Sequence, residues 1–202
     1  MKYFRQRWYI VGIWLAFFGI AALVFWHQYL SPLRVLLGIS FISLLLHQFE
    51  EYQFPGFFPR MVNSVMFKSR QPDRFPLDAN TACLINVGLG WSFYVLVIVL
   101  AEHAIWLATA TITISIGNIL AHTILFNIKG KTLYNPGMAT ALILFLPISI
   151  YYFGFLSKHG LISSVTLVIG LILGVIINYF GILRLIVLLG NKKSLYPFKP
   201  FH

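Results

Sequence analysis

The chain's 202 residues are 59% apolar and only 10% charged, with fifteen Lys and Arg against five Asp and Glu. A soluble domain carries roughly 25% charged residues to cover its water-facing surface, so an ordinary globular enzyme, a disordered chain and a disulfide scaffold are all excluded. What remains is an all-α polytopic membrane protein, because apolar runs of about 20 residues recur along the whole length.

Six membrane-spanning helices are predicted in chain order, together making one integral membrane domain. Span one covers residues 8–26, span two 33–52, span three 80–101, span four 104–126, span five 137–156 and span six 161–189. A polar and aromatic stretch holding Pro55, Pro59, Pro72 and Pro76 separates spans two and three. The runs are continuously apolar, where barrel strands would alternate over about ten residues. Lys2, Arg5 and Arg7 precede span one as in a signal peptide, but no small-x-small cleavage site follows, so span one reads as uncleaved.

The net charge of +10 would point to nucleic acid in a soluble protein. Here the basic residues accumulate on one side as a topology signal, and no nucleic-acid partner is expected; the partner is the bilayer. With six spans, thirteen Lys and Arg fall on the side of both termini, and only Arg34 and Lys158 on the other. The positive-inside rule then sets both termini in the cytoplasm, and a bacterial inner membrane is the expected location. Cys83 is the only cysteine, which removes disulfides and cysteine zinc sites within one chain. Trp8, Trp26, Trp91 and Trp106 fall near span ends, where amphipathic rings favour the interface. Phe57–Phe67 is expected to form a short helix on the cytoplasmic surface, and the tail Asn191–His202 to rest against anionic headgroups. Gly170 and Gly174 form a small-xxx-small pair suited to close helix approach.

The chemistry lies in polar residues within spans. Ionisable groups near a bilayer are costly to bury and mark function by default. In Leu45-Leu46-His47-Gln48-Phe49-Glu50-Glu51-Tyr52, His47 shares a helix face with Glu50 at i+3 and Glu51 at i+4. This string, His47-Gln48-Phe49-Glu50-Glu51, resembles the motif of the HXXEE-domain membrane proteins. The resemblance extends to Tyr134-Asn135-Pro136-Gly137, Thr140 and Pro147, with His122 and Asn127 upstream, over about residues 40 to 150. It implies a small integral membrane protein that binds metal, and it names no reaction.

Depth supports one site independently. His47, His122 and Asn86 each lie about five to seven residues from the cytoplasmic end of their spans, or roughly 8–10 Å deep at 1.5 Å per residue. His47, Glu51 and His122 are therefore the candidate ligands of a divalent metal, with Glu50 as general base and Asn86, Asn127 and Asn135 orienting water or substrate. The spacing parallels zinc hydrolases that place ligands at i and i+4 with a Glu in the same turn. The second His is replaced by Glu, so iron and manganese suit the donors as well as zinc, and whether Glu50 or Glu51 ligates stays open. Asn135 also fits an N-cap with Pro136 in the first turn of span five. Glu102-His103 lies on the outer side, and adjacent helical residues diverge too far for a bidentate site.

The favoured reading is a membrane-embedded metal-dependent hydrolase or transferase acting on a lipid-like or small amphipathic substrate at the cytoplasmic face. A proton-coupled transporter using the same His/Glu cluster is the alternative. A third reading is a buried Glu–His–Asn network that only fixes packing.

Overall fold

The computed structural model describes residues 2–198. Six helices are long and apolar enough to cross a membrane: Lys2–Tyr29, Pro32–Tyr52, Ala79–His103, Ile105–Gly130, Met138–Lys158 and Ser164–Leu189. No strand occurs among the described residues. The protein is an integral membrane helical bundle, and the six spans put both ends of the described chain on one side, called here the terminus side. Span one begins six residues earlier than its apolar run, because Lys2–Arg7 continue the helix into the polar zone. Span six begins three residues later, after the turn at Gly160.

Spans two and four form the inside of the bundle. Both alternate apolar residues with small hydroxyl residues, which allow close approach while bonding back to their own helix. Thr109 and Thr113 donate to the carbonyls four residues earlier, at 3.0 and 2.8 Å. Span six lies against span four on its glycines. A Cβ on Gly170 would stand 2.7 Å from the Trp106 carbonyl, and one on Gly174 would stand 2.7 Å from Thr113 Cγ2. The small-xxx-small pair therefore sets the approach of these two helices.

Two of the four tryptophans expected at the interface are inside instead. Trp8 is 1% exposed and packs edge-on against Tyr52 and Trp91. Trp91 is also buried, and its indole N–H donates to Gln48 Oε1 at 2.8 Å. A buried indole needs an acceptor, and Gln48 supplies one in the last turns of span two. Trp26 and Trp106 stay exposed.

The segment between spans two and three is not a surface strap. Its short helix, Phe58–Met61 followed by a π-turn over Val62–Met66, buries Phe58, Pro59, Val62 and Asn63. Asn63 holds the loop by donating to the carbonyls of Pro72 and Leu77, both at 2.7 Å, and accepting from Leu77 N–H at 2.9 Å. Arg60 pairs with Asp73 in the same loop, and that bond raises the guanidinium pKa further. The tail also differs from expectation. Ser194 donates to Asp78, Ala79 N–H donates to the Tyr196 carbonyl at 3.0 Å, and Phe198 packs near Tyr52. It folds back under the bundle instead of lying on headgroups, because these partners satisfy its backbone. Lys199, Phe201 and His202 lie outside the described residues.

On the far side, Glu102 accepts from Ser31 and pairs with Arg34 at 3.4 Å. Two short interhelical turns meet there, and the acid is accounted for by that pair.

Candidate metal centre

His47 comes from the last turns of span two and His122 from the terminus-side half of span four, in a π-turn over Ala121–Leu125. The two rings stand 5.0 Å apart, nearly perpendicular. Glu51, one turn after His47, reaches between them: its Oε1 lies 3.3 Å from His122 Nε2 and 3.6 Å from His47 Nε2. All three residues are buried, and one ligand atom from each lies within 4.8 Å of the others. This group can hold a metal ion.

The hydrogen bonds behind the rings decide which nitrogen faces inward. Glu50 Oε2 accepts from the Thr140 hydroxyl at 2.5 Å, so that hydroxyl accepts from His47 Nδ1–H at 2.8 Å. Asn135 spends its amide N–H groups on the His122 carbonyl at 2.7 Å and on Asn127 Oδ1 at 2.8 Å. Its Oδ1 therefore accepts from His122 Nδ1–H at 2.6 Å. Each imidazole carries its proton on Nδ1 and presents a bare lone pair at Nε2. Neither Nε2 has a hydrogen-bond partner. Two lone pairs and a carboxylate oxygen then face one another in a buried space, which is repulsive unless a cation sits between them. Metal–ligand bonds of about 2.0–2.2 Å at tetrahedral angles separate ligand atoms by about 3.3–3.6 Å, which matches both His–Glu distances.

Glu50 does not join them. It is the anchor of span five: Oε1 accepts from the Tyr134 hydroxyl at 2.7 Å and Ala139 N–H at 3.1 Å. Oε2 accepts from Thr140 N–H at 2.8 Å as well as its hydroxyl. A carboxylate at a helix N-terminus meets free N–H groups and the positive end of the dipole. Burial and the adjacent Glu50 carboxylate push the Tyr134 phenol up, so it stays a donor at neutral pH. The i+3 and i+4 carboxylates of the motif thus divide: Glu51 turns into the site, and Glu50 holds the helix that holds His47.

The Asn135-Pro136-Gly137 turn has a steric purpose. Span five starts at Met138, two residues later than the proline pattern predicts, with Gly137 at φ 99°. Only glycine takes that conformation freely. A Cβ there would also stand 2.8 Å from His122 Nδ1 and 2.9 Å from its Nε2. Asn135 caps nothing with its side chain; it is fully buried and holds His122.

Beside the three residues lies a cavity of about 960 Å³, walled by spans two, three, four and six and by the short helix. His47, Gln48, Glu51, Asn86, Asn118 and His122 are its polar lining near the site; most of the wall is apolar. Asn86 accepts from Gln48 at 2.9 Å and donates to the Ala82 carbonyl at 2.9 Å and the Tyr52 hydroxyl at 3.3 Å. It belongs to the wall, one bonded neighbour away from His47. Asn127 stands behind the centre, under Asn135. Phe58 covers His122 at 4.7 Å, and Phe145 lies 4.7 Å from His47, so both rings are packed as well as bonded.

Sequence reasoning marked Thr140 only through the family resemblance, with no role, and placed Phe58 in a surface helix; the structure brings both to the centre. Thr140 is a lone hydroxyl just inside an apolar helix, three residues after a glycine turn, which is a readable signal; Phe58 offers none.

A family model described as "protein of unknown function with HXXEE motif" matches residues 39–152. The match covers more than half of the chain and includes every residue of the centre, and the chain belongs to that family. Neither the curated proteins nor the solved structures contain a match.

Proposed function

We propose that this HXXEE-family protein is a metal-dependent membrane enzyme, a hydrolase or transferase. Its substrate is a lipid-like or small amphipathic molecule at the cytoplasmic face of a bacterial inner membrane. The observation that carries the reading is the convergence of two unpartnered Nε2 atoms on one carboxylate oxygen, beside a large apolar cavity. Two His and one Glu are the ligands of one class of catalytic zinc and of the non-haem iron triad. The two His–Glu distances match tetrahedral zinc, the ion this reading favours over iron or manganese.

In this reading His47, Glu51 and His122 hold the ion, with Thr140 and Asn135 fixing the two rings. A zinc ion there would polarise a carbonyl or phosphoryl oxygen and lower the pKa of a bound water to about 7. Gln48 and Asn86 give the cavity wall amide groups that can orient a polar head. Glu50 acts through Thr140 and not on substrate. Proton-coupled transport has less support, because the buried acids and histidines gather in the terminus-side half of the bundle and Glu102 is already paired. The Lys and Arg asymmetry supports cytoplasmic termini.

The test is metal analysis of detergent-purified protein, before and after incubation with zinc, iron or manganese. About one equivalent is expected, lost in His122→Ala. Absence of stoichiometric binding of all three metals by the folded parent would overturn the reading.

A further inference from the structure

We infer that the cavity is the berth of a single hydrocarbon chain entering sideways from the bilayer, and that the substrate is a single-chain amphiphile with an anionic head. The identity of the head's reaction rests on the metal-enzyme reading; the berth rests on the shape and chemistry of the wall.

The cavity is long and it runs along span four. Its lining extends from Lys129 at the terminus side to Thr113, sixteen residues deeper, or about 24 Å at helical rise. His122 divides that length unevenly, about 10 Å from Lys129 and about 14 Å from Thr113. Above His122 the wall carries the metal ligands and ends at a cation. Below His122 it is formed mainly by apolar side chains such as Leu44, Phe93, Ile116 and Val175, with a few polar groups between them. A cavity of this volume is in the range that takes a drug-sized ligand, far beyond a few waters. Its deep half carries Tyr94, Thr113, Asn118 and Asn178 among a mostly apolar wall, and an alkyl chain covers that apolar surface where water would not.

The opening faces lipid. Spans four and six touch through Gly170, Gly174 and, one turn on, Asn178 against Gly117, and toward the terminus side of that contact the cavity lies between them. Its rim there is made of side chains exposed on the outside of the bundle: Leu120, Ile124 and Ile128 on span four and Val175 on span six. An opening rimmed by exposed aliphatic residues in a membrane protein admits what surrounds it, which is hydrocarbon. At the upper end, Lys129 is the one lysine or arginine of the wall among the described residues. It fits a phosphate or carboxylate head. A chain seated with its tail beside Val175 and its head near Lys129 passes its head-proximal bonds in front of His47, Glu51 and His122.

Photolabelling of the protein in phosphatidylcholine nanodiscs tests this. The probes are hexyl and dodecyl phosphates with a diazirine at the chain end, and dodecyltrimethylammonium with the same group. Dodecyl phosphate should label Phe93 or Thr113, and hexyl phosphate should label residues nearer the centre. Gly90→Phe fills open space on the wall, where a Cβ meets only a carbonyl at 3.5 Å. It should cut deep labelling about tenfold, as overpacking of a filled site predicts. Ile116→Trp does the same from the opposite side and covers the case in which the first variant misfolds. The ammonium probe should label less than the phosphate, and Lys129→Glu should reverse that order. Labelling confined to outward residues such as Leu96 and Val99, and unchanged by both fillers, overturns the berth. Equal labelling by the two head groups overturns the anionic head. Metal content is read on the same samples: deep labelling without metal binding keeps the berth and rejects the enzyme, whereas metal without deep labelling rejects the berth alone.

Discussion

Replacing Glu50 and Glu51 separately with Gln distinguishes the two carboxylates by two different readouts. Each Glu50 oxygen accepts two hydrogen bonds, four in all, from Tyr134, Ala139 and Thr140. A glutamine can satisfy only one pair with its oxygen; its amide then faces a backbone N–H, which is left without an acceptor. One orphaned buried N–H costs about 1–3 kcal/mol, and the surviving pair loses the charge that roughly doubles such bonds. The expected cost of Glu50→Gln is therefore about 2–4 kcal/mol, which for a chain this long lowers the melting temperature by about 5–15 °C. Glu51 accepts no such set of donors and faces two imidazole lone pairs, so Glu51→Gln should leave the metal-free melt unchanged or raise it, and abolish metal binding. Cys83, the only thiol, is buried in span three, so a thiol-reactive fluorophore reports the melt without an added label. The runs are made with chelator present, to keep metal stabilisation out of the comparison. If Glu50→Gln melts with the parent and loses metal, while Glu51→Gln keeps it, the division of roles is reversed and the anchoring argument fails.

Other outcomes follow from the same contacts. Asn135→Ala removes the acceptor that orients His122, and a metal titration should show affinity lower by about 10–100-fold with the ligands intact. Tyr134 has a folded pKa raised above its unfolded value. The stabilisation from its bond to Glu50 is therefore fully present below about pH 10 and lost as pH rises beyond it. The melting difference between the parent and Tyr134→Phe should be constant from pH 6 to 9 and shrink in more alkaline buffer; a difference that shrinks in acid instead contradicts the assignment. Gly174→Val puts a side chain into Thr113, and the melt should fall by an amount corresponding to about 1–3 kcal/mol. A melt equal to the parent's would mean that spans four and six do not meet there.

Span number and extent were legible because the bilayer imposes one length scale on every helix, and apolar runs report it directly. The three-residue group was legible too, since depth along a helix is countable and two histidines at equal depth on different spans invite a common site. What stayed hidden was direction around the helix axis. His47, Glu50 and Glu51 lie within one turn, and sequence spacing cannot say which carboxylate turns toward span four and which toward span five. That choice is made by Gly137: its left-handed turn brings the free N–H groups of span five against Glu50, and its missing side chain leaves room for the His122 ring. Trp91 was misplaced for a different reason: the span bounds put it at the middle of span three, where depth alone argues for the interior. There the indole N–H needs an acceptor from a neighbouring helix, and Gln48 on span two supplies it. Where a buried polar group has two possible environments, composition favours the common one; the partner on a neighbouring span decides.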